Sequence, residues 1–297
     1  MKQLNDKKMK IVVTGASGFL GSHLLNKLIL NEHDTLSITR QSINPLDQIS
    51  KFIPDVVVHC AWNGGNNYKD VNNINQVSNV YDGLELLKSL ATLPNKPKFI
   101  GFGSFAEYGT ISNLAFEEDW ERPINMYGLS KLTFKNYSKA FCEQQNMLWS
   151  WIRPCYVYGP GDVTTRLVPS VISRLANHES VSLDSCDKII DYIYVDDFVN
   201  FVYSIIVNPS EGIYNICSGQ QFQLRDIINT IAQLMNAEEL ITFGESTSRI
   251  LTPSHICGSN LKIRKFTSFQ PLTSLNEGLT KTIEYYKNNN NEKHNSH

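Results

Sequence analysis

Residues 10 to 21 read Lys10-Ile11-Val12-Val13-Thr14-Gly15-Ala16-Ser17-Gly18-Phe19-Leu20-Gly21, and their reading decides the fold. A β-branched run ends in glycines and passes into a helical pattern in which Leu20, Leu24 and Leu28, with Leu25 and Ile29, share one face. Strand, turn, helix is the order a dinucleotide needs, because its pyrophosphate requires close backbone approach and free N–H groups at a helix N-terminus. Only glycine lets the chain come that near. Gly15, Ser17, Gly18, Phe19, Leu20 and Gly21 are therefore cofactor-binding candidates. The G-x-x-G-x-x-G spacing is one residue wider at the turn than G-x-G-x-x-G. Alone it also fits a plain tight turn; the strand before it and the helix after it favour the phosphate loop.

Outward from this unit, Thr35–Thr39 (TLSIT), Asp55–His59 (DVVVH) and Lys98–Phe102 (KFIGF) read as further strands with helical stretches between most of them. The alternation predicts an α/β fold, a Rossmann-type doubly wound parallel sheet with a smaller C-terminal substrate-binding lobe. Runs such as Val56-Val57-Val58 fit a sheet covered on both faces. The interval from Arg40 to Asp55 is too short for a full strand and helix, so one unit of the usual sheet is expected to be trimmed. Pro154, Gly159, Pro160 and Gly161 mark where the chain leaves the first domain. Strand-like DYIYV (191–195) and IYNIC (213–217) suggest a return to the sheet. The expected division is a dinucleotide-binding domain over 1–158, rejoined by about 191–217, and a substrate lobe from 159–190 and 218–286. The Asn-rich tail, 287–297, is expected to be disordered.

The 297 residues, 41% of them hydrophobic, can bury a sizeable core. With 27 basic and 29 acidic side chains the net charge is −2, which argues against a nucleic-acid or acidic-membrane partner and for a small one. No apolar run reaches the roughly 18 residues of a membrane span, and residues 1–10 lack a signal-peptide core, so a cytoplasmic location is expected. The six cysteines form no C-x-x-C pair and the seven histidines are unclustered, so no metal is expected. His23 and His59 read as packing residues.

About 20 residues past the loop, where an NAD enzyme places an acid on the ribose, stand Thr39 and Arg40. A carboxylate would repel a 2'-phosphate, whereas a guanidinium holds it. NADP(H) is the expected cofactor, with Ser42 helping and NAD(H) as the alternative; Arg40 could also be a solvated loop charge. Tyr127-Gly128-Leu129-Ser130-Lys131 sets a phenol and an ammonium at i and i+4 on one helix face. A neighbouring ammonium favours the phenolate and lowers its pKa, which suits proton transfer, although such a pair is also common on helix surfaces. Ser104 ends the fourth strand, at the sheet edge where ligands bind, and its hydroxyl could hold a substrate oxygen. Ser is equally a common turn residue there.

The glycine loop GASGFLG, HCAW (59–62), Asn79-Val80 with Gly83, GSFAEYG (103–109), YGLSK (127–131) and RPCYVYGPGD (153–162) come in the order of the extended short-chain dehydrogenase/reductases, which this chain resembles. DYIYVDD (191–197) and FQPLTSLNEGLTKTIEYY (269–286) carry the resemblance over nearly the whole length. It implies that Ser104, Tyr127 and Lys131 form a catalytic triad and that Ala61 and Trp62 line the cofactor. It also implies that Pro154 to Val157 lie against the nicotinamide and that Asn79 supports the active-site helices. Tyr127 and Lys131 then also touch the cofactor.

Relatives that dehydrate sugar nucleotides carry an Asp-Glu pair after the Ser/Thr, where this chain has Phe105-Ala106; epimerases of the family use an acid after the second strand, also missing here. The chain looks more like the NDP-4-keto-6-deoxyhexose reductases, such as CDP-abequose or paratose synthases, which serve surface-polysaccharide (O-antigen) sugar biosynthesis. The implied reaction is NADPH-dependent reduction of a C4 ketone. One departure is Ile190, where most relatives have an arginine on the diphosphate. Arg249, at the position of a late substrate arginine, and Arg166, after GPGD, are expected to compensate. Ser104, Phe105 and Glu107 are further substrate-binding candidates, and Trp120 lies near them in sequence. An NAD-using 4-epimerase or 4-dehydrogenase and a non-catalytic NADP(H) sensor remain open. The helix after Val71 and the helix with Tyr127 are the pair relatives use for a homodimeric four-helix bundle.

Overall fold

Lys10–Thr14 forms β1 and leads into α1 (Phe19–Leu30), followed by β2 (Asp34–Ile38), α2 (Pro45–Phe52) and β3 (Val56–His59). The computed structural model describes residues 8–64, 71–245, 254–267 and 270–294. Next come α3 (Val77–Ala91), β4 (Lys98–Phe102), α4 (Met126–Gln145), β5 (Trp149–Pro154), β6 (Tyr156–Tyr158), α5 (Leu167–Ala176) and β7 (Val181–Leu183). After these lie β8 (Ile189–Ile190), β9 (Tyr192–Tyr194), α6 (Val195–Val207), β10 (Gly212–Ile216), β11 (Phe222–Gln223) and α7 (Leu224–Met235). The described chain closes with β12 (Ile241–Phe243), β13 (His255–Ile256), α8 (Leu261–Thr267) and α9 (Leu275–His294).

Six strands form one parallel sheet in the order β10-β5-β4-β3-β1-β2. Alternation along each strand splits the core in two. Ile11, Val13, Val56, Val58 and Ile100 pack with Leu24 and Leu28 of α1 and Phe198, Phe201 and Val202 of α6. Val12, Val57 and Phe99 pack on the other face with Leu86, Leu87 and Leu90 of α3 and Phe134 of α4. A sheet covered on both faces explains the unbroken apolar runs of β1 and β3. From β1 the chain steps outward to β2 and then returns to β3 on the opposite side, so the ligand crevice of such a fold opens beyond the carboxyl ends of β1 and β3.

Between β2 and β3 only α2 intervenes, so the trimmed unit lacks its strand. The α1 stripe is narrower than its leucines suggest: Leu24 and Leu28 are buried, whereas Ile29 is 53% exposed. Central β5 has no clear sequence signal. Its apolar run WSWIRP is broken by Ser150 and Arg153, which are nonetheless fully buried because Ser150 Oγ donates to the Ser210 carbonyl at 2.8 Å and Arg153 pairs with Glu107.

The first core continues into the later segments, where α5, α7 and α9 pack on one another and β6 pairs in parallel with β9. β8 lies between antiparallel β11 and parallel β13. α9 extends into the Asn-rich stretch, to His294. Extending a nucleated helix adds one hydrogen bond per residue ordered, so composition alone does not stop it. Among the described residues no helix is long and apolar enough to cross a membrane.

Candidate active site

The carboxyl ends of the central strands border a cleft of about 1560 Å³. At its first end the β1–α1 loop makes a cradle. Gly15 has φ +69°, and a Cβ there would lie 2.7 Å from the Ala61 backbone nitrogen; one on Gly21 would lie 2.3 Å from the Gly15 carbonyl oxygen. Gly18 caps α1 without any side-chain cap, and the first turn carries no acid, so its N–H groups meet an anion favourably. These features fit a dinucleotide pyrophosphate. Ser17, Phe19 and Leu20 also line the cleft, as do Thr39 and exposed Arg40 beyond β2. Ser42 does not line it: its hydroxyl accepts from the Thr39 N–H at 3.0 Å and closes the turn that presents Arg40.

At the end of β3, the Thr14 hydroxyl bonds His59 Nδ1 at 2.8 Å and accepts from the Ala61 N–H at 3.3 Å, which fixes Ala61 and Trp62 against the loop. Asn79, 5% exposed, accepts from the Asn63 N–H at 2.7 Å and donates to the Gln76 carbonyl at 3.2 Å. Its support is thus given to the segment after β3.

Ser104 follows β4 and caps a single helical turn: its hydroxyl accepts from the Ala106 N–H at 3.1 Å, and the Glu107 carboxylate accepts from the Ser104 N–H at 2.8 Å. Asn125 caps α4 by accepting from the Gly128 N–H at 2.8 Å. Tyr127 therefore enters in the first turn, with Lys131 one turn later. Tyr127 and Ser104 line the same cleft, so acid and holder face one space. Burial raises the Tyr127 pKa, with the nearby Ser104 hydroxyl and the Arg166 charge acting against it. Burial thus outweighs the lowering expected from the neighbouring Lys131 ammonium. That ammonium donates to the Phe102 carbonyl at 2.6 Å and lies 3.8 Å above the Trp62 ring, and burial brings its pKa down to about 7.

Glu107 is also corrected. It is fully buried, outside the cleft wall, and holds Trp151 Nε1 at 3.0 Å and Arg153 Nε at 2.8 Å. Arg153 continues to Tyr108 and Glu121, and Glu121 to Lys135. A carboxylate that is 0% exposed and so bonded positions Ser104 and does not bind a sugar. Trp120 is 82% exposed and stacks near Arg122, away from the cleft. Arg249 lies outside the described residues.

The opposite wall comes from later segments. Pro154 and Val157 line it, as does Arg166, whose Nε lies 3.6 Å from Asp162. Phe105, buried, lines it beside Ser104. Tyr156, within the expected stretch, lines it too, and beside it stand Tyr192, stacked on Tyr156 at 5.2 Å, and Lys188, neither of which was foreseen. Lys188, Ile190 and Tyr192 alternate toward the cleft, a period-2 signal hidden because β8 and β9 are so short.

Residues 11–217 match the model of the NAD dependent epimerase/dehydratase family. The chain is 24% identical to a GDP-6-deoxy-D-mannose reductase of Pseudomonas aeruginosa, over 91% of this chain and 94% of that one. It is 27% identical to a CDP-abequose synthase of Salmonella typhimurium, over 82% and 87%. Among solved structures, a Thermus thermophilus UDP-glucose 4-epimerase in complex with NAD superposes with a TM-score of 0.84 at 21% identity, covering 94% of this chain and 99% of that one.

Proposed function

The chain belongs to the NAD dependent epimerase/dehydratase family, and we propose that within it the protein is an NADPH-dependent reductase of the C4 ketone of a nucleotide-activated 4-keto-6-deoxy sugar, of the kind made for surface polysaccharides. The observation that carries this reading is the wall beside the Ser104–Tyr127 pair. The two residues after Ser104 are Phe105 and Ala106, and the following carboxylate, Glu107, is turned away into Arg153. That wall offers one proton donor and no adjacent acid and base for eliminating water.

Bound NADPH would supply the hydride to the ketone carbon. The Ser104 hydroxyl holds the substrate oxygen, and Tyr127 gives that oxygen its phenolic proton, turning C=O into CH–OH. A buried phenol with a raised pKa keeps its proton near neutral pH, which is the state reduction needs. Lys131 supplies positive charge to the cofactor ribose and to the phenolate left behind. Arg40 would hold the 2'-phosphate. Arg166 and Lys188 would face the substrate diphosphate from the opposite wall in place of the arginine missing at Ile190.

A homodimer is part of the proposal. α3 and α4 pack together and expose Val77, Tyr81, Leu129 and Tyr137, with Ile74 just before them. Such an apolar face suits a second copy of the same helix pair.

The test is to incubate the protein and NADPH with CDP-, dTDP- and GDP-4-keto-6-deoxyhexoses. Expected is NADPH oxidation with a 6-deoxyhexose nucleotide as product, and a kcat loss on the order of 100-fold or more in Tyr127→Phe with NADPH binding retained. No consumption of NADPH, with NAD(H) bound to the purified protein, would favour a 4-epimerase or 4-dehydrogenase instead. Tight NADPH binding without turnover on any of these sugars would favour a sensor.

A further inference from the structure

Lys131 is 3% exposed, and among the described residues no salt bridge reaches it. The titratable groups around it are His59 and Cys60 at the end of β3, Tyr127 on its own helix and Glu107 beyond β4. Glu107 is bonded to Ser104, Trp151 and Arg153. A buried ammonium left in this state tends to lose its proton.

We propose that Trp62 is a positioning residue for Lys131, its indole face holding the ammonium charged and aimed where no carboxylate pairs with it directly. The inference rests on reading Lys131 as the lysine that faces the cofactor ribose and Tyr127. Nζ lies 3.8 Å from the Trp62 ring centre and 5.9 Å from that of Tyr127. An ammonium has three hydrogens. One goes to the Phe102 carbonyl at 2.6 Å and one to the indole face, which leaves the third for a ribose hydroxyl. The indole cannot turn freely. Its Nε1 donates to Gln76 Oε1 at 2.8 Å, Gln76 is 3% exposed, and the ring meets Tyr127 edge-on at 6.2 Å.

The choice of an aromatic ring has a physical reason. A carboxylate partner would hold the ammonium but cancel its field at the phenol. A ring quadrupole stabilises the cation while leaving the net charge in place for Tyr127.

The test uses the full-length protein labelled with ¹³C at lysine Cε, with the Lys131 resonance identified by its absence in Lys131→Arg. The wild-type titration midpoint is expected near 7. Trp62→Leu, which keeps an apolar side chain without the quadrupole, should lower the midpoint by about one pH unit. Trp62→Phe should stay close to wild type. Gln76→Leu, which frees the indole but leaves it present, should move the midpoint in the same direction by less. NADPH affinity, which needs the ammonium, should fall as pH rises through each midpoint, and thus at lower pH in Trp62→Leu. Midpoints unmoved in both Trp62→Leu and Gln76→Leu overturn the proposal, as does a Trp62→Phe shift equal to that of Trp62→Leu. If the midpoints move as expected but the wild type reduces none of the sugars, the reaction assigned above falls and the Trp62–Lys131 coupling stands.

Discussion

In the proposed reading a single side chain, Arg40, separates two cofactors. It is exposed at the cleft mouth after β2, on a turn held by the Ser42 hydroxyl. Replacing it with aspartate removes a charge-assisted bond to a 2'-phosphate and adds repulsion. The ratio of kcat/KM for NADPH to that for NADH should fall on the order of 100-fold in Arg40→Asp, measured by initial rates with both cofactors. An unchanged ratio would return Arg40 to the role of a solvated charge. At this scale the sequence was a good guide to residue identity and a poor one to direction. Ser104, Tyr127 and Lys131 line one cleft as read, yet Lys131 leans toward Trp62 and Phe102, and Glu107 points into the protein. Spacing says which residues share a helix face; the direction of a flexible ammonium is decided by the acceptors that packing brings to it.

Among the elements, the β1–α1 loop separates two uses of glycine. A Cβ on Gly21 would meet the Gly15 carbonyl oxygen at 2.3 Å, a backbone atom that cannot turn aside. Gly21→Ala should therefore destabilise the fold by about 1–3 kcal/mol despite its gain in helix propensity, as read from denaturant midpoints. Gly18 has φ −81° and a Cβ there would approach only the Gly15 carbonyl oxygen, at 3.2 Å. Gly18→Ala should cost less, about 0.5–1 kcal/mol for the poorer N-cap, and chiefly weaken NADP(H) binding, because the methyl enters the space the pyrophosphate needs. Equal loss of stability in both variants would refute the distinction. β1 and β4 were legible to the residue because Ile11 to Val13 and Phe99, Ile100 and Phe102 are buried on both faces of the sheet and so form apolar runs. β5 was not, since Ser150 and Arg153 are buried through partners supplied by Ser210 and Glu107, far away in the chain.

For the whole molecule, the exposed face of α3 and α4 predicts the assembly. Tyr81 is 65% exposed and Tyr137 60%, on helices that pack against each other. Tyr81→Glu should shift sedimentation from dimer to monomer at micromolar concentration, with the far-UV spectrum unchanged; a wild type that sediments as a monomer would remove the bundle from the proposal. Sequence alone was enough for the layered α/β architecture, the glycine loop and the naming of Ser104, Tyr127 and Lys131 as candidates, because strand burial, glycine geometry and i, i+4 spacing are local constraints written in neighbouring residues. Only the tertiary structure decided which charges reach the cleft and which are spent inside the protein. Glu107 is claimed by Arg153, 46 positions on, Trp62 comes to lie over Lys131, and Lys188 and Tyr192 form a wall opposite the glycine loop. Such pairings depend on crossovers that join distant segments, and no local period encodes them.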